Sequence, residues 1–164
     1  MTYLPDTNAF SAYLRGRSQP LTERMVAAFA ADQLKLSVMV MSELTFGAEK
    51  VRVQAGDTKF ARRLEALRKQ LPVEPIGEDF PEHYAKVRIT LEAAGQKFGD
   101  RDTIIAAHAL ALGAVMVTAN VREFARVPGL KLENWEAEDS TKSLSERGCS
   151  IQKSLNSAAG KNRH

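Results

Sequence analysis

Gly113 closes a helical pattern, and Ala114-Val115-Met116-Val117-Thr118 follows at once. A short, apolar, β-branched run of this kind is what a strand buried on both faces requires. The residues before it, Ile104, Ile105, His108, Ala109 and Leu112, recur at helical spacing. A helix leading directly into a fully buried strand restricts the chain to alternating α and β elements. The expected architecture is an α/β fold with a parallel sheet covered on both faces.

The rest of the chain supplies further elements of that alternation. Tyr3-Leu4-Pro5 opens as a strand, and Leu34, Leu36, Val38 and Val40 alternate through Met41 as a second. Phe60, Leu64, Leu67 and Leu71 mark one amphipathic helix, with Arg62, Arg63, Arg68 and Lys69 around its other face. A short strand is expected near Val73–Ile76. Tyr84, Val87, Leu91 and Ala94 mark another helix, with Gly95 as its stop. In sheets of this kind ligands bind beyond the carboxyl ends of the strands.

Three acids stand at junctions between such elements: Asp6 after the first strand, Glu43 after the second, and Asp102 before the helix Thr103–Leu112. Two carboxylates about 4 Å apart repel by roughly 4 kcal/mol at an effective dielectric near 20. A converging set therefore raises its own pKa values unless a cation sits among its members. Mg²⁺, or Mn²⁺ in its place, prefers such oxygen donors. Each acid also has a plain structural reading, Asp6 and Asp102 as helix caps and Glu43 as a solvated helix residue. Asp100 reads as a cap or as a supporting group behind Asp102. No Cys/His set has zinc spacing, and no glycine-rich phosphate loop is present.

Composition narrows the setting. At 164 residues the chain can bury a core without disulfides, and its lone Cys149 has no internal partner, which fits a reducing cytosol. No apolar run reaches the roughly 18 residues a membrane span needs, and the amino terminus lacks the pattern of a signal peptide. A cytoplasmic protein is expected. Residues 140–164 carry five Lys or Arg against one Glu, so the excess of +3 lies there and the remainder is about −1. With six serines and no aromatic, residues 138–164 read as a polar, basic, disordered tail after a domain of residues 1–137.

The blocks Leu4-Pro5-Asp6-Thr7-Asn8, Ser42-Glu43-Leu44-Thr45-Phe46-Gly47-Ala48-Glu49-Lys50 and Asp102-Thr103-Ile104-Ile105-Ala106-Ala107-His108-Ala109 resemble a PIN-domain protein. Val117-Thr118-Ala119-Asn120-Val121-Arg122-Glu123-Phe124, Val127-Pro128-Gly129 and Leu132-Glu133-Asn134-Trp135 narrow the resemblance to VapC ribonuclease toxins of bacterial type II toxin–antitoxin modules. The resemblance runs in order over about residues 2–135. It implies a PIN-like α/β/α sandwich with a small parallel sheet flanked by helices. It also implies a Mg²⁺-dependent endoribonuclease, a homodimer and a cognate VapB-like antitoxin. Asp6, Glu43 and Asp102 match the metal-binding acids, with Asn8, Asp100, Thr118, Asn120 and Glu123 as supporting groups around them. Structured RNA such as a transfer RNA is a substrate the resemblance permits.

Two residues depart from the family pattern. Asn120 stands where many members carry a fourth acid, and Glu123 is the candidate to replace it. Pro5 lies where a central strand normally has an aliphatic residue; proline removes a ladder N–H and is expected to disturb Asp6. These departures motivate an alternative, an inactive PIN module that binds RNA or antitoxin without cleavage. A phosphatase with Asp6 as nucleophile is a further alternative, although Asn8 replaces the general acid it would need. Arg15 and Arg17 flank Gly16 near the expected active edge and read either as holding RNA phosphates or as a solvated loop. His108 reads as a packed, hydrogen-bonded histidine. Phe10, Leu14, Met25, Val26 and Phe29 read as core or helical interface.

Overall fold

A computed structural model describes residues 1–95 and 98–137. The tail expected over 138–164 lies outside the described residues, as does Cys149. Strand β1 (Tyr3–Pro5) leads into α1 (Thr7–Arg15) and α2 (Gln19–Ala30); β2 (Leu36–Ser37) leads into α3 (Val38–Ala55) and α4 (Lys59–Gln70). Then come β3 (Val73–Glu74), α5 (Phe80–Ala93), α6 (Asp100–Ala111), β4 (Val115–Val117), α7 (Val121–Phe124) and β5 (Lys131–Glu133). No helix among the described residues is long and apolar enough to cross a membrane.

All strand pairings are parallel. β4 takes β1 on one side, with Leu4 opposite Met116, and β5 on the other, with Met116 opposite Leu132. β2 pairs with β3, and a single bridge from Tyr3 to Leu34 joins this pair to β1. The resulting order is β3-β2-β1-β4-β5. Chain direction through the sheet reverses between β1 and β4, the switch point at which such sheets open a crevice.

Pro5 explains the weak join. The Thr2 carbonyl accepts from Val115 N–H at 2.8 Å and Asp6 N–H donates to the Val117 carbonyl at 2.9 Å, so the even-numbered residues address β4. Tyr3 faces the other way: its N–H donates to the Gln33 carbonyl at 2.8 Å and its carbonyl accepts from Lys35 N–H at 2.9 Å. Alternation turns Pro5 toward β2 as well. The bond that proline cannot make is therefore the next one of the β1–β2 ladder, to Lys35. The β1–β4 ladder continues through Asp6. The expected disturbance of Asp6 is thus corrected: the missing N–H lies on the opposite side of the strand.

Two boundaries also differ from the sequence expectation. The strand read through Met41 ends at Ser37, whose hydroxyl accepts from Met39 N–H at 3.1 Å and starts α3. Alternation beyond that point was coincidental with one buried helix face, at Val40, Leu44 and Ala48. The helix expected from Thr103 begins at Asp100, capped by Gly99 without a side-chain bond. Asp102 therefore occupies the first turn and caps nothing.

The core gathers around the sheet. Leu4, Phe10, Leu21, Met25, Leu36, Val40, Met116 and Phe124 are buried, each large aliphatic or aromatic side chain contributing about 1.5–3 kcal/mol. Leu14 is also buried, whereas Val26 and Phe29 are exposed on α2. Helix α5 packs along α6, and α1 packs against α2, α3 and α4. His108 is buried, with Nε2 3.1 Å from the Pro75 carbonyl and Nδ1 2.9 Å from Ser37 Oγ. It ties α6 to the ends of β2 and β3.

Candidate active site

A cleft of about 640 Å³ opens at the carboxyl edge of the sheet. Asp6, Asn8, Glu43, Asp100 and Asp102 line it, together with Thr7, Arg101 and the exposed ring of Phe46. Each acid is delivered by a local rule. Asp6 follows β1 directly and is the N-cap of α1, its Oδ1 accepting from Ala9 N–H at 2.7 Å. Glu43 lies in the second turn of α3. Asp102 lies in the first turn of α6 beside Gly99, where a Cβ would stand 3.2 Å from Oδ2, so the glycine leaves room for the carboxylate.

The acids influence one another. Asp6 is buried, which is the main reason its carboxyl is raised above the ordinary range; hydrogen bonds from the Thr118 hydroxyl and Ala9 N–H oppose this, and the charges of Asp102 and Glu136 add to it. Asp102 is raised too, first by desolvation and then by Glu43, with Arg101 opposing. Glu43 is held by the Thr7 hydroxyl, which donates to Oε2, and by Arg101, whose Nε is 3.4 Å from Oε1.

Thr118 is buried just after β4 and links Asn120 to Asp6. Its Oγ accepts from Asn120 N–H at 3.0 Å while its hydroxyl bonds the Asp6 carboxylate. Asn120 thus contributes backbone, as the N-cap residue of α7, with its side chain exposed. Glu123 is drawn away into an ion pair with Arg126, just beyond the end of the same short helix. Asp100 is largely solvated and faces Arg88 at 3.9 Å. Arg15 is at the far end of α1 from Asp6, its guanidinium 4.6 Å above the Phe60 ring, so it does not serve the cleft.

Sequence reasoning did not single out Thr7, Arg101, Phe46 or Glu136. Arg101 carried a signal: a cation in the first turn of a helix opposes the macrodipole. Thr7 carried none, because its role depends on α3 lying across α1.

Oxygen donors alone line the acidic side of the cleft, which suits a hard cation such as Mg²⁺. Among the described residues no three His, Cys, Asp or Glu side chains close into a metal-binding cluster. The carboxylates stand apart around the cleft, Asp6 turned to Ala9 and Glu43 to Thr7 and Arg101. Carboxylates gathered around one cleft repel, and a cation among them would relieve that cost.

The PIN domain family model matches residues 3–130. The chain belongs to the PIN-domain family, in its VapC branch. Ribonuclease VapC1 of Haemophilus influenzae strain R2866 is 32% identical over 140 residues, spanning 82% of this chain and 98% of that protein. The tRNA(fMet)-specific endonuclease VapC of Salmonella typhimurium is 28% identical over 135 residues, with the same coverage. Among solved structures, VapBC2 from Rickettsia felis bound to a promoter DNA fragment superposes with a TM-score of 0.75 at 27% identity, covering 82% of this chain and 99% of that one. The PIN sandwich expected from the sequence is the fold observed, and this PIN domain carries its acids where the parallel sheet opens.

Proposed function

We propose that this PIN domain is the ribonuclease toxin of a toxin–antitoxin pair, hydrolysing RNA phosphodiester bonds with Mg²⁺. The observation that carries the reading is that Asp6, Glu43 and Asp102 line one cleft at the sheet switch point. Asp6, Glu43 and Asp102 would hold the ion, Mn²⁺ being a substitute. When bound, it supplies an activated water and neutralises charge developing on the phosphoryl oxygens.

The protein's own contribution is placement. Asp6 is fixed by its N–H to Val117, by Ala9 and by Thr118, so its carboxylate has little freedom. Thr7 sets the reach of Glu43 from the opposite wall. Asp102 accepts no hydrogen bond from the described residues and is free to coordinate. Phe46, 67% exposed on the rim, offers a flat apolar surface on which an unstacked base can lie.

The relatives' names supply the substrate class and partner. A ribonuclease and a tRNA(fMet)-specific endonuclease align with this chain over 98% of their own lengths, and the VapBC2 assembly carries the same domain. Transfer RNA is accordingly the first substrate, and a VapB-like antitoxin the first partner. The inactive-module alternative keeps only Asn120 in its support, because Pro5 leaves Asp6 in place. The test is cleavage of initiator transfer RNA and total RNA with Mg²⁺ and with EDTA, beside Asp6→Asn and Asp102→Asn proteins. Mg²⁺-dependent cuts absent from both variants support the ribonuclease. Intact RNA with folded, antitoxin-free protein supports the binding module.

A further inference from the structure

We propose that Arg101 is a phosphate-binding residue of this cleft, its guanidinium parked on Glu43 in the free protein and transferred to an RNA phosphate when substrate enters. The proposal rests on the ribonuclease reading above.

An acidic cleft must admit a polyanion, and among the described residues lining it Arg101 is the one cation. Its location serves no purpose of helix stability. It is the second residue of α6, where the helix dipole disfavours positive charge. The flanking Asp100 and Asp102 already supply the negative charge that end prefers. Something other than folding accounts for an arginine there.

The contact with Glu43 is of a kind that yields. One nitrogen, Nε, approaches Oε1 at 3.4 Å, and although the Glu43 side chain is only 21% exposed the arginine is 77% exposed, so its end of the pair is solvated and readily released. The guanidinium donates no hydrogen bond to any described residue and is largely exposed where it lines the cleft. A planar guanidinium with free donors is suited to a phosphate, which it binds through two parallel N–H bonds. Glu43 meanwhile remains held by Thr7 when the arginine leaves.

The same geometry makes two opposite demands on one side chain. Positive charge beside Glu43 and Asp102 disfavours a metal cation, whereas it favours RNA. Arg101→Gln in the full-length protein should therefore bind Mn²⁺ more tightly, by a few-fold, and bind RNA less tightly. Mn²⁺ binding is read by calorimetry on free protein. RNA binding is read with a fluorescent single-stranded oligoribonucleotide in EDTA across a salt series, so no turnover intervenes. The slope of log affinity against log salt should become shallower by about 0.7, the loss of one phosphate contact. Arg101→Lys should keep the wild-type slope with reduced affinity, because it retains charge and loses the fork.

Unchanged RNA affinity and slope in a variant that melts like the wild type overturn the proposal. Weakened Mn²⁺ binding with a lowered melting temperature in both variants assigns Arg101 a structural role and overturns it too. If the wild type cuts RNA while Arg101→Gln binds it equally well, this proposal falls and the ribonuclease reading stands. If the wild type neither binds nor cuts RNA, the ribonuclease reading falls and takes this one with it.

Discussion

Ser37 and His108 meet in the core, Oγ to Nδ1 at 2.9 Å, although they are 71 positions apart in the chain. Because Nε2 donates to the Pro75 carbonyl, Nδ1 is the acceptor and Ser37 the donor, a neutral imidazole with both nitrogens satisfied. Burial pushes its pKa below the ordinary value, with the Pro75 carbonyl and the Glu74 charge acting in the opposite sense. In the unfolded chain the ring protonates near pH 6.5. As pH falls through that value the unfolded state takes up a proton that the folded state refuses. Stability should decline on acidification by up to about 1.4 kcal/mol per pH unit, until the folded ring itself titrates. Denaturant titrations from pH 7.5 to 5 check this, and His108→Asn should be less stable at neutral pH and flatter over that interval. Equal slopes for both proteins would show that another group carries the effect.

Asp6→Asn separates stability from activity. The amide oxygen can still accept from Ala9 N–H, so the helix cap survives, while the buried charge that Asp102 and Glu136 oppose is gone. The raised pKa means that ionised Asp6 is a cost above its folded pKa, relieved as pH falls through it. At neutral pH and without metal, removing the charge should stabilise the fold; about 1 kcal/mol would appear as a melting point higher by about 2–4 °C. Added Mg²⁺ should raise the wild-type midpoint more than the variant's. A variant that melts lower in EDTA would contradict this account.

How much of this was visible in the chain depends on the range of the interaction that decides each feature. Ala114–Thr118 and the three acids were legible because a buried parallel strand and a junction carboxylate are local patterns. The end of β2 was misread because Ser37 stops it with a single cap inside an unbroken alternation. β5 passed unnoticed, since Lys131, Leu132 and Glu133 are too few to show a period and pair only along one edge. The start of α6 was placed late because Gly99 caps it with backbone alone. The pairs Thr7–Glu43 and Arg101–Glu43 were beyond reach, since they exist only after α1, α3 and α6 have docked.

Thr7→Val should damage the site without damaging the fold. It removes the hydroxyl that holds Glu43 and keeps the β-branched shape at the first position of α1. Loss of a group that orients a metal ligand typically costs about 10–100-fold in metal affinity or activity. Mn²⁺ affinity and cleavage rate should fall together by that order, with Thr7→Ser close to wild type. A Thr7→Val protein with full Mn²⁺ affinity would remove Thr7 from the site.

Pro5→Val tests the direction of the missing N–H. The added donor faces Lys35 rather than β4, so the Asp6 N–H bond to Val117 is untouched. RNA cleavage should stay at the wild-type rate, and stability should change by no more than about 1.5 kcal/mol, as for other volume-conserving swaps. A large gain in cleavage would mean that proline does displace Asp6.

The weak join at Pro5 also gives the cleft the build of a calliper. Asp6 is mounted on the β1–β4–β5 plate and Glu43 on the helix that leaves the β2–β3 plate, and two backbone bonds around Tyr3 are the ladder that ties those plates together. Any slight rotation along this seam changes the gap between the two carboxylates while leaving each plate intact. The jaw width is therefore set by how α1 and α3 pack across the seam. Under the proposed metal-dependent reaction, substitutions at that helix contact should shift the ion the cleft prefers without touching an acid.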